Sequence, residues 1–280
     1  MVDPVYAAEG ITAVVAAMPE EVAALRAALD DRRCLRRQRP EIVTGRLGRT
    51  PIVLAVTGDG ERNARRGTEA LLSALPMPPN RLLVLGVSGA LSPELETGEL
   101  VVAERVACER GAVTLEPDSA LVELAVRSAD ARRAVVVSAG RIADSVADKQ
   151  RLLAAAHPGS AVAVVDLESL AYATVAQAAA IPWLILRAVS DSAHEGLPAL
   201  LNRCRDHGGA VQRGRVLREL LGDPRPLPTL LGMRRRIARC GVLLAGAASR
   251  VTLAAAAQDA AKLTGANVAA ICAQPTAAGV

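Results

Sequence analysis

A strand-length apolar run at residues 161–165, a helix-length stretch at 169–180 and a second apolar run at 183–189 follow one another with little connecting sequence. That succession constrains the fold strongly. Short β-branched runs read as buried strands, and strands alternating with helical stretches imply a sheet covered by helices. Each run also leads to an acid, Glu168 after the first and Asp191 after the second. Ligands of open α/β sheets bind beyond strand ends. Two carboxylates delivered there separately are therefore candidates for chemistry.

The alternation extends along most of the chain. Residues 11–17, 41–47, 51–56, 81–87, 98–104 and 134–138 read as strands, with 41–47 and 51–56 joined around Gly48. Residues 63–72 and 150–156 read as helices. Pro19, followed by Glu20 and Glu21, marks another helix start, because proline is tolerated at the first helical position and acids offset the helix dipole. Residues 197–221 are expected as one long helix bent near Gly208-Gly209. The result is an α/β fold, a single domain over residues 1–222 with a mixed central sheet flanked by helices. A proline-rich break at 223–228 separates it from a helical extension over 223–280. There a helix or helix pair at 229–261 is interrupted by Gly241 and Gly246, with a poorly ordered tail after about residue 260.

Composition narrows the partners. The net charge of +4 is small, and the chain has no Phe, one Trp and two Tyr (Tyr6 and Tyr172). Nucleic-acid binding wants basic residues interleaved with stacking rings, so no nucleic acid is expected. Five scattered cysteines form no Cys-x-x-Cys pair, and His157, His194 and His207 lack metal-ligand spacing. No metal, no cofactor and no disulfide framework are expected. Free thiols, and an N-terminal segment carrying Asp3 and Glu9 where a signal peptide starts positive, point to the cytoplasm. The apolar stretch 240–257 is broken by Arg250 and rich in Ala and Gly, a poor membrane span. It is expected to pack on the core, with contact to a membrane surface as the alternative.

Four short motifs occur in order. They are Ala17-Met18-Pro19-Glu20-Glu21-Val22, then Thr57-Gly58-Asp59-Gly60, then Gly86-Val87-Ser88-Gly89-Ala90-Leu91 with Gly98-Glu99-Leu100-Val101-Val102, and finally Val165-Asp166-Leu167-Glu168 with Arg187-Ala188-Val189-Ser190-Asp191. Each alone is ordinary, since glycine-rich turns follow strands in many folds. As an ordered set spanning residues 11 to 195, they resemble the nucleoside phosphorylase and nucleosidase superfamily, in particular its methylthioadenosine/S-adenosylhomocysteine nucleosidases.

The resemblance implies a nucleoside phosphorylase-like fold and roles for matched residues. Asp191 matches the general acid that protonates N7 of a purine, so that the base leaves neutral; this needs a carboxyl in a partly desolvated site. By itself Asp191 reads as a helix cap. Glu168 matches the acid that accepts hydrogen bonds from the ribose hydroxyls and stabilises oxocarbenium-like charge. By itself it reads as a first-turn acid. Glu21 matches the acid that activates water, against the reading of a surface helix residue. Leu167 stands for a methionine beside the sugar, a volume-conserving exchange. Met18, Gly58, Val87, Ser88, Gly89, Val146 and Ser190 complete the implied substrate contacts.

Glu21 favours hydrolysis over phosphorolysis, because a carboxylate beside phosphate is repulsive. Val84 stands where trimeric phosphorylases carry a phosphate arginine. Arg62, after the Gly-Asp-Gly turn, is the residue that favours a phosphorylase. The resemblance has two gaps. A phenylalanine expected in the loop 139–148 is absent, leaving Val146 or Ile142 to press on the base, and Val87 replaces a serine. Both leave the 5′ substituent open. Residues 138–152 and 227–244 are similar to the hopanoid-associated phosphorylase-like proteins, so release of adenine from an adenosylhopane-type, lipid-linked nucleoside is the alternative. A non-catalytic nucleoside-binding protein is the alternative of another class. The expected partner is a small-molecule nucleoside, and the resemblance implies a homodimer.

Overall fold

The computed structural model describes residues 10–38, 40–111, 113–156, 159, 162–206 and 208–272, with side chains through Lys262. The chain begins with β1 (Thr12–Ala16), α1 (Pro19–Ala28), β2 (Asp30–Arg36), β3 (Glu41–Leu47), β4 (Thr50–Val56) and α2 (Glu61–Ala74). It continues with β5 (Arg81–Ala90), β6 (Leu100–Cys108), β7 (Thr114–Leu115), α3 (Ser119–Ala129), β8 (Arg132–Ser138) and α4 (Val146–Ala156). It closes with β9 (Val162–Asp166), α5 (Ser169–Ala178), β10 (Trp183–Asp191), α6 (Leu200–Arg203), α7 (Arg213–Gly222) and α8 (Leu227–Cys272).

Period-two alternation explains why the strands read as continuous apolar runs. In β5, Leu82 and Val84 pack with Leu71 of α2 and Tyr172 of α5. Leu83 and Leu85 point the other way, with Val22 of α1, Leu124 of α3 and Leu244 of α8. β1 and β10 divide in the same manner. A sheet covered on both faces has no polar side to alternate with.

The mixed sheet runs β10-β6-β8-β9-β5-β1-β4-β3-β2, and β10 also pairs with β5, closing five strands into a ring. One edge of β5 changes partner along its length. Arg81 to Val84 pair with β1, whereas Gly89 and Ala90 pair with β9. The opposite edge stays with β10 from Leu82 to Gly89. Between Val84 and Gly89, therefore, β5 presents an edge that no strand covers. A gap of that kind inside a sheet must be filled by side chains or a ligand.

Several expectations need correction. Gly86 to Gly89 is not a turn after a strand, because β5 continues to Ala90. The long helix expected over 197–221 is two helices, α6 and α7. Between them the Asp206 carboxylate accepts the Gly208 and Ala210 amides, and Arg205 bridges to Val211, which reverses the chain. Gly241 and Gly246 do not interrupt α8, which is one helix and continues past residue 260. The expected tail beyond residue 272 lies outside the described residues, as do His157, His207 and Ala161 of the expected strand.

α8 packs on α1, α3, β5 and β10 through Cys240, Leu244, Ala248 and Val251. The segment Leu227–Lys262 is long and apolar enough to cross a bilayer, and half of its most apolar 18-residue stretch is buried inside the protein. Gly241 is the contact point. A Cβ there would lie 2.3 Å from the Glu20 carbonyl oxygen, so only glycine lets α8 sit this close to the first turn of α1. At Gly246 a Cβ would meet only the tip of Arg250, at 3.4 Å.

The two glycines should therefore respond oppositely to alanine in chemical denaturation. Gly241→Ala should destabilise by about 1–3 kcal/mol through overpacking, despite the gain of about 1 kcal/mol in helix propensity. Gly246→Ala should be neutral or slightly stabilising. Equal stability of both variants would contradict the close packing of α8 on α1.

Candidate active site

The uncovered edge of β5 opens into a cavity of about 290 Å³. Four strand ends contribute to its lining: Met18 and Glu21 after β1, Val87 to Gly89 on β5, Asp166 to Glu168 at the end of β9, and Ser190 and Asp191 closing β10, with Asp59 and Arg213 beside them. Three acids far apart in sequence thus meet in one place. Glu21, Glu168 and Asp191 are 2%, 8% and 3% exposed, so none is a surface residue.

Glu21 belongs to the first turn of α1, and its carboxylate does two things. Oε2 accepts the Met18 amide at 2.8 Å, satisfying an orphan donor at the helix N-terminus. Oε1 accepts the Val87 amide at 2.9 Å, the donor that β5 exposes where β1 has ended. Glu168 is the N-cap residue of α5, yet its side chain makes no cap bond. It reaches instead across to the Gly60 amide at 2.7 Å. Asp191 does not cap a helix. Ser190 Oγ donates to its Oδ1 at 2.6 Å and Lys149 Nζ donates to its Oδ2 at 2.5 Å.

Arg187 lies behind these acids, 2% exposed. Its Nη2 is 2.5 Å from Asp166 Oδ2 and donates to Ser169 Oγ at 2.8 Å. A Cβ on Gly86 would lie 1.8 Å from Arg187 Nη1, so the guanidinium occupies the space that a side chain would take. Gly89 has a similar part, since a Cβ there would be 2.8 Å from Asp191 Oδ2.

Burial sets the protonation of the acids. Desolvation pushes the Glu21 carboxyl up, against the lowering pull of Arg187 and of the Met18 and Val87 amides. Glu168 is pushed up to about 8 by burial first and the neighbouring Asp166 charge second, with the Gly60 amide and Arg187 opposing. Asp166 holds the guanidinium directly, so its two neighbours receive only part of that charge.

The expected site residues divide as follows. Met18, Glu21, Val87, Ser88, Gly89, Leu167, Glu168, Ser190 and Asp191 line the cavity. Gly58 and Val146 do not. The Gly58 amide donates to Ala17 O at 3.0 Å, extending the pairing of β4 with β1 past their ends, and its neighbour Asp59 lines the cavity instead. Val146 opens α4, while Ile142 faces the cavity because Asn202 clamps its backbone N–H and C=O at 3.0 and 2.8 Å. Arg62 is outside the lining and beside Asp206. Among the described residues the only cation in the lining is Arg213, an exposed side chain 3.9 Å from Glu20.

Sequence reasoning missed Lys149, Asp166 as the anchor of Arg187, and the aliphatic wall. That wall is Leu197, Leu201, Val211, Met233 and Ile237, so α6 and α8 close the cavity. One signal for Lys149 was present: it is one of 2 lysines in a chain with 31 arginines. Ser88 Oγ is buried without a partner among the described residues and lines the cavity, as expected of a group that awaits a ligand.

The profile of the Phosphorylase superfamily matches residues 12–212. A 5′-methylthioadenosine/S-adenosylhomocysteine nucleosidase of Geobacillus thermodenitrificans is 31% identical over 201 residues, covering 65% of this chain and 84% of the relative. Among solved structures, the nucleosidase of that name from Neisseria meningitidis, in complex with methylthio-immucillin-A, aligns with a TM-score of 0.68 at 20% identity, covering 86% of this chain and 98% of that one. Futalosine hydrolase of Helicobacter pylori aligns at 0.60 and 21%, covering 67% and 87%. At these identities the structural likeness is one of fold.

The raised Glu168 carboxyl has a consequence for stability. From about pH 4.5 to 8 the folded chain keeps a proton that the unfolded chain has lost, so stability falls as pH rises through this window, by at most about 1.4 kcal/mol per unit. Glu168→Gln retains an oxygen for the Gly60 amide and removes the titration. Its denaturation midpoint should fall less between pH 5 and 8 than that of the wild type. Parallel pH profiles for the two proteins would contradict the assignment.

Proposed function

The chain belongs to the phosphorylase superfamily, and we propose that it hydrolyses the N-glycosidic bond of an adenine nucleoside such as methylthioadenosine or S-adenosylhomocysteine. The observation that carries this reading is the convergence of Glu21, Glu168 and Asp191 on one cavity whose sole lining cation among the described residues is an exposed arginine. The curated nucleosidase relative at 31% identity supports the same reaction.

The chemistry follows from position. Asp191 lies at the end of β10 beside Ser190, and protonates the base at N7 as the bond to C1′ breaks. The electron pair of that bond then leaves on a neutral purine. Glu168 lies across the cavity floor on the Gly60 amide and accepts hydrogen bonds from the ribose hydroxyls. Those donors favour its ionised form, which stabilises positive charge developing on the sugar. Glu21, raised by burial, takes a proton from water that attacks C1′. The aliphatic wall accepts an apolar 5′ substituent such as a methylthio group.

Phosphate as the nucleophile fits this cavity poorly. A phosphate dianion beside Glu21 and Glu168 in the ionised forms that these steps use would meet like charge, and Arg187 is already engaged by Asp166. No cofactor enters any of these steps.

Adenine release from methylthioadenosine should proceed at the same rate with and without phosphate. Asp191→Asn should lower kcat by roughly 10²–10⁴-fold and leave nucleoside binding, followed by calorimetry, nearly unchanged. Strict dependence on phosphate would remove Glu21 from its role, and a fully active Asp191→Asn would remove Asp191 from its own.

A further inference from the structure

We infer that Lys149 supplies the proton that Asp191 delivers to the leaving base, so that the lysine–aspartate pair, and not the aspartate alone, is the acid of this site. The inference rests on the reading of Asp191 given above. Lys149 is 1% exposed, and its Nζ donates to Asp191 Oδ2 at 2.5 Å and to the Ser192 carbonyl at 2.6 Å. It reaches Asp191 from α4 and does not line the cavity. It therefore acts through Asp191, as a positioning and proton-supplying residue.

The geometry poses a chemical question. An ammonium at 2.5 Å favours the carboxylate, whereas protonation of N7 requires the carboxylic acid. Both conditions are met if the pair shares one transferable proton. As the C1′–N9 bond breaks, its electron pair passes to the base. Starting from the Asp191 carboxylate and the Lys149 ammonium, Lys149 passes its proton to Asp191 as Asp191 passes that proton on to N7. An aspartate carboxylate and a neutral amine remain. The water that attacks C1′ gives its proton to Glu21. Turnover closes when Glu21 returns that proton to solvent and Lys149 regains one from solvent.

The residue type supports this step. The chain uses arginine for nearly every cation, with 31 arginines and 2 lysines, and the other lysine, Lys262, is exposed. A guanidinium does not give up its proton in a protein, whereas an ammonium can act as a proton donor. The remaining ionisable groups around the pair are already engaged. Arg236 of α8 is bidentate with Glu195, at 2.6 and 2.9 Å. Cys240 of α8 is buried, and its Sγ faces the Val189 carbonyl. Asp148 accepts from Ser145 and Arg141, and Asp144 accepts from Asn202. None of these touches Lys149 Nζ.

Two variants of the full chain test the inference, with adenine release from methylthioadenosine as the readout. Lys149→Arg keeps the charge and the ion pair but withholds the proton. Its kcat should fall about a hundredfold with KM nearly unchanged. In Lys149→Met, Asp191 titrates alone, so the alkaline limb of the kcat profile should move towards acid pH and activity should recover there in part. Calorimetric binding of adenine identifies variants that have folded, and if the methionine variant does not fold, the arginine variant decides. A folded Lys149→Arg with wild-type kcat and pH profile overturns the inference, as does an unshifted limb in a folded Lys149→Met. If the wild type itself releases no adenine, the fault lies with the nucleosidase reading and not with the lysine.

Discussion

Arg187 sits beneath β5 with Asp166 at 2.5 Å and Glu21 and Glu168 as further partners of its charge. Removing that guanidinium would leave three buried carboxyl groups with only amide donors and the Ser169 hydroxyl, an arrangement a folded protein sustains only by keeping them protonated. Its presence has a geometric condition. The guanidinium fills the place of a side chain at position 86, so the glycine there is demanded by the cation and not by a turn. The Gly-Val-Ser-Gly segment is in this sense an electrostatic motif. It lets a strand run straight while a charge passes underneath.

The same strand explains why the cavity lies where it does. β5 loses β1 after Val84 and gains β9 at Gly89, and the uncovered edge between them has an amide to satisfy. Glu21 accepts the amide of Val87 and in doing so carries a carboxylate into the gap. The place of the Glu21 carboxylate in the cavity and the satisfaction of the Val87 amide are thus one hydrogen bond. α8 then holds α1 against the sheet through the close approach at Gly241, which ties the placement of Glu21 to a helix more than two hundred residues away in sequence.

The parts of the fold written in apolar periodicity were legible. Strands buried on both faces gave runs at nearly their observed bounds, and Pro19 with two acids marked α1. β2 carried no such signal, because it is a charged edge strand exposed along its whole length and its ladder is set by β3. α3 was missed although Asp118 caps it by accepting the Leu121 amide at 2.9 Å, a capping signal present in the residues. The break between α6 and α7 depends on the Asp206 carboxylate folding back on two amides, which helical spacing does not reveal. In the site, Glu168 and Asp191 were legible because each ends an apolar run. Lys149 was not, because its importance comes from α4 lying beside the end of β10, a contact between segments 42 residues apart. Only the scarcity of lysine hinted at it.

A site without phenylalanine distributes its specificity unevenly. Ring-on-ring contacts add about 0.5–1.5 kcal/mol beyond area burial, and an adenine against Ile142 and its aliphatic neighbours forgoes that increment while keeping the burial. An apolar wall discriminates weakly, by roughly 1–3 kcal/mol per methylene, whereas a hydrogen-bonding site rejects an unmatched ligand by factors of about 10⁴–10⁵. On the proposed reading, discrimination would concentrate on Ser88, Ser190, Asp191 and Glu168, whose polar side chains are buried in the cavity lining. The aliphatic wall of Leu201, Met233 and Ile237 would be the permissive side of the cavity on that reading. Met233 and Ile237 belong to the helix that also packs on α1, so a change that widens this wall also loosens the support of Glu21. The shape of the aliphatic wall and the position of Glu21 are coupled through α8, which contributes Met233 and Ile237 to the one and packs on α1 at Gly241 to hold the other.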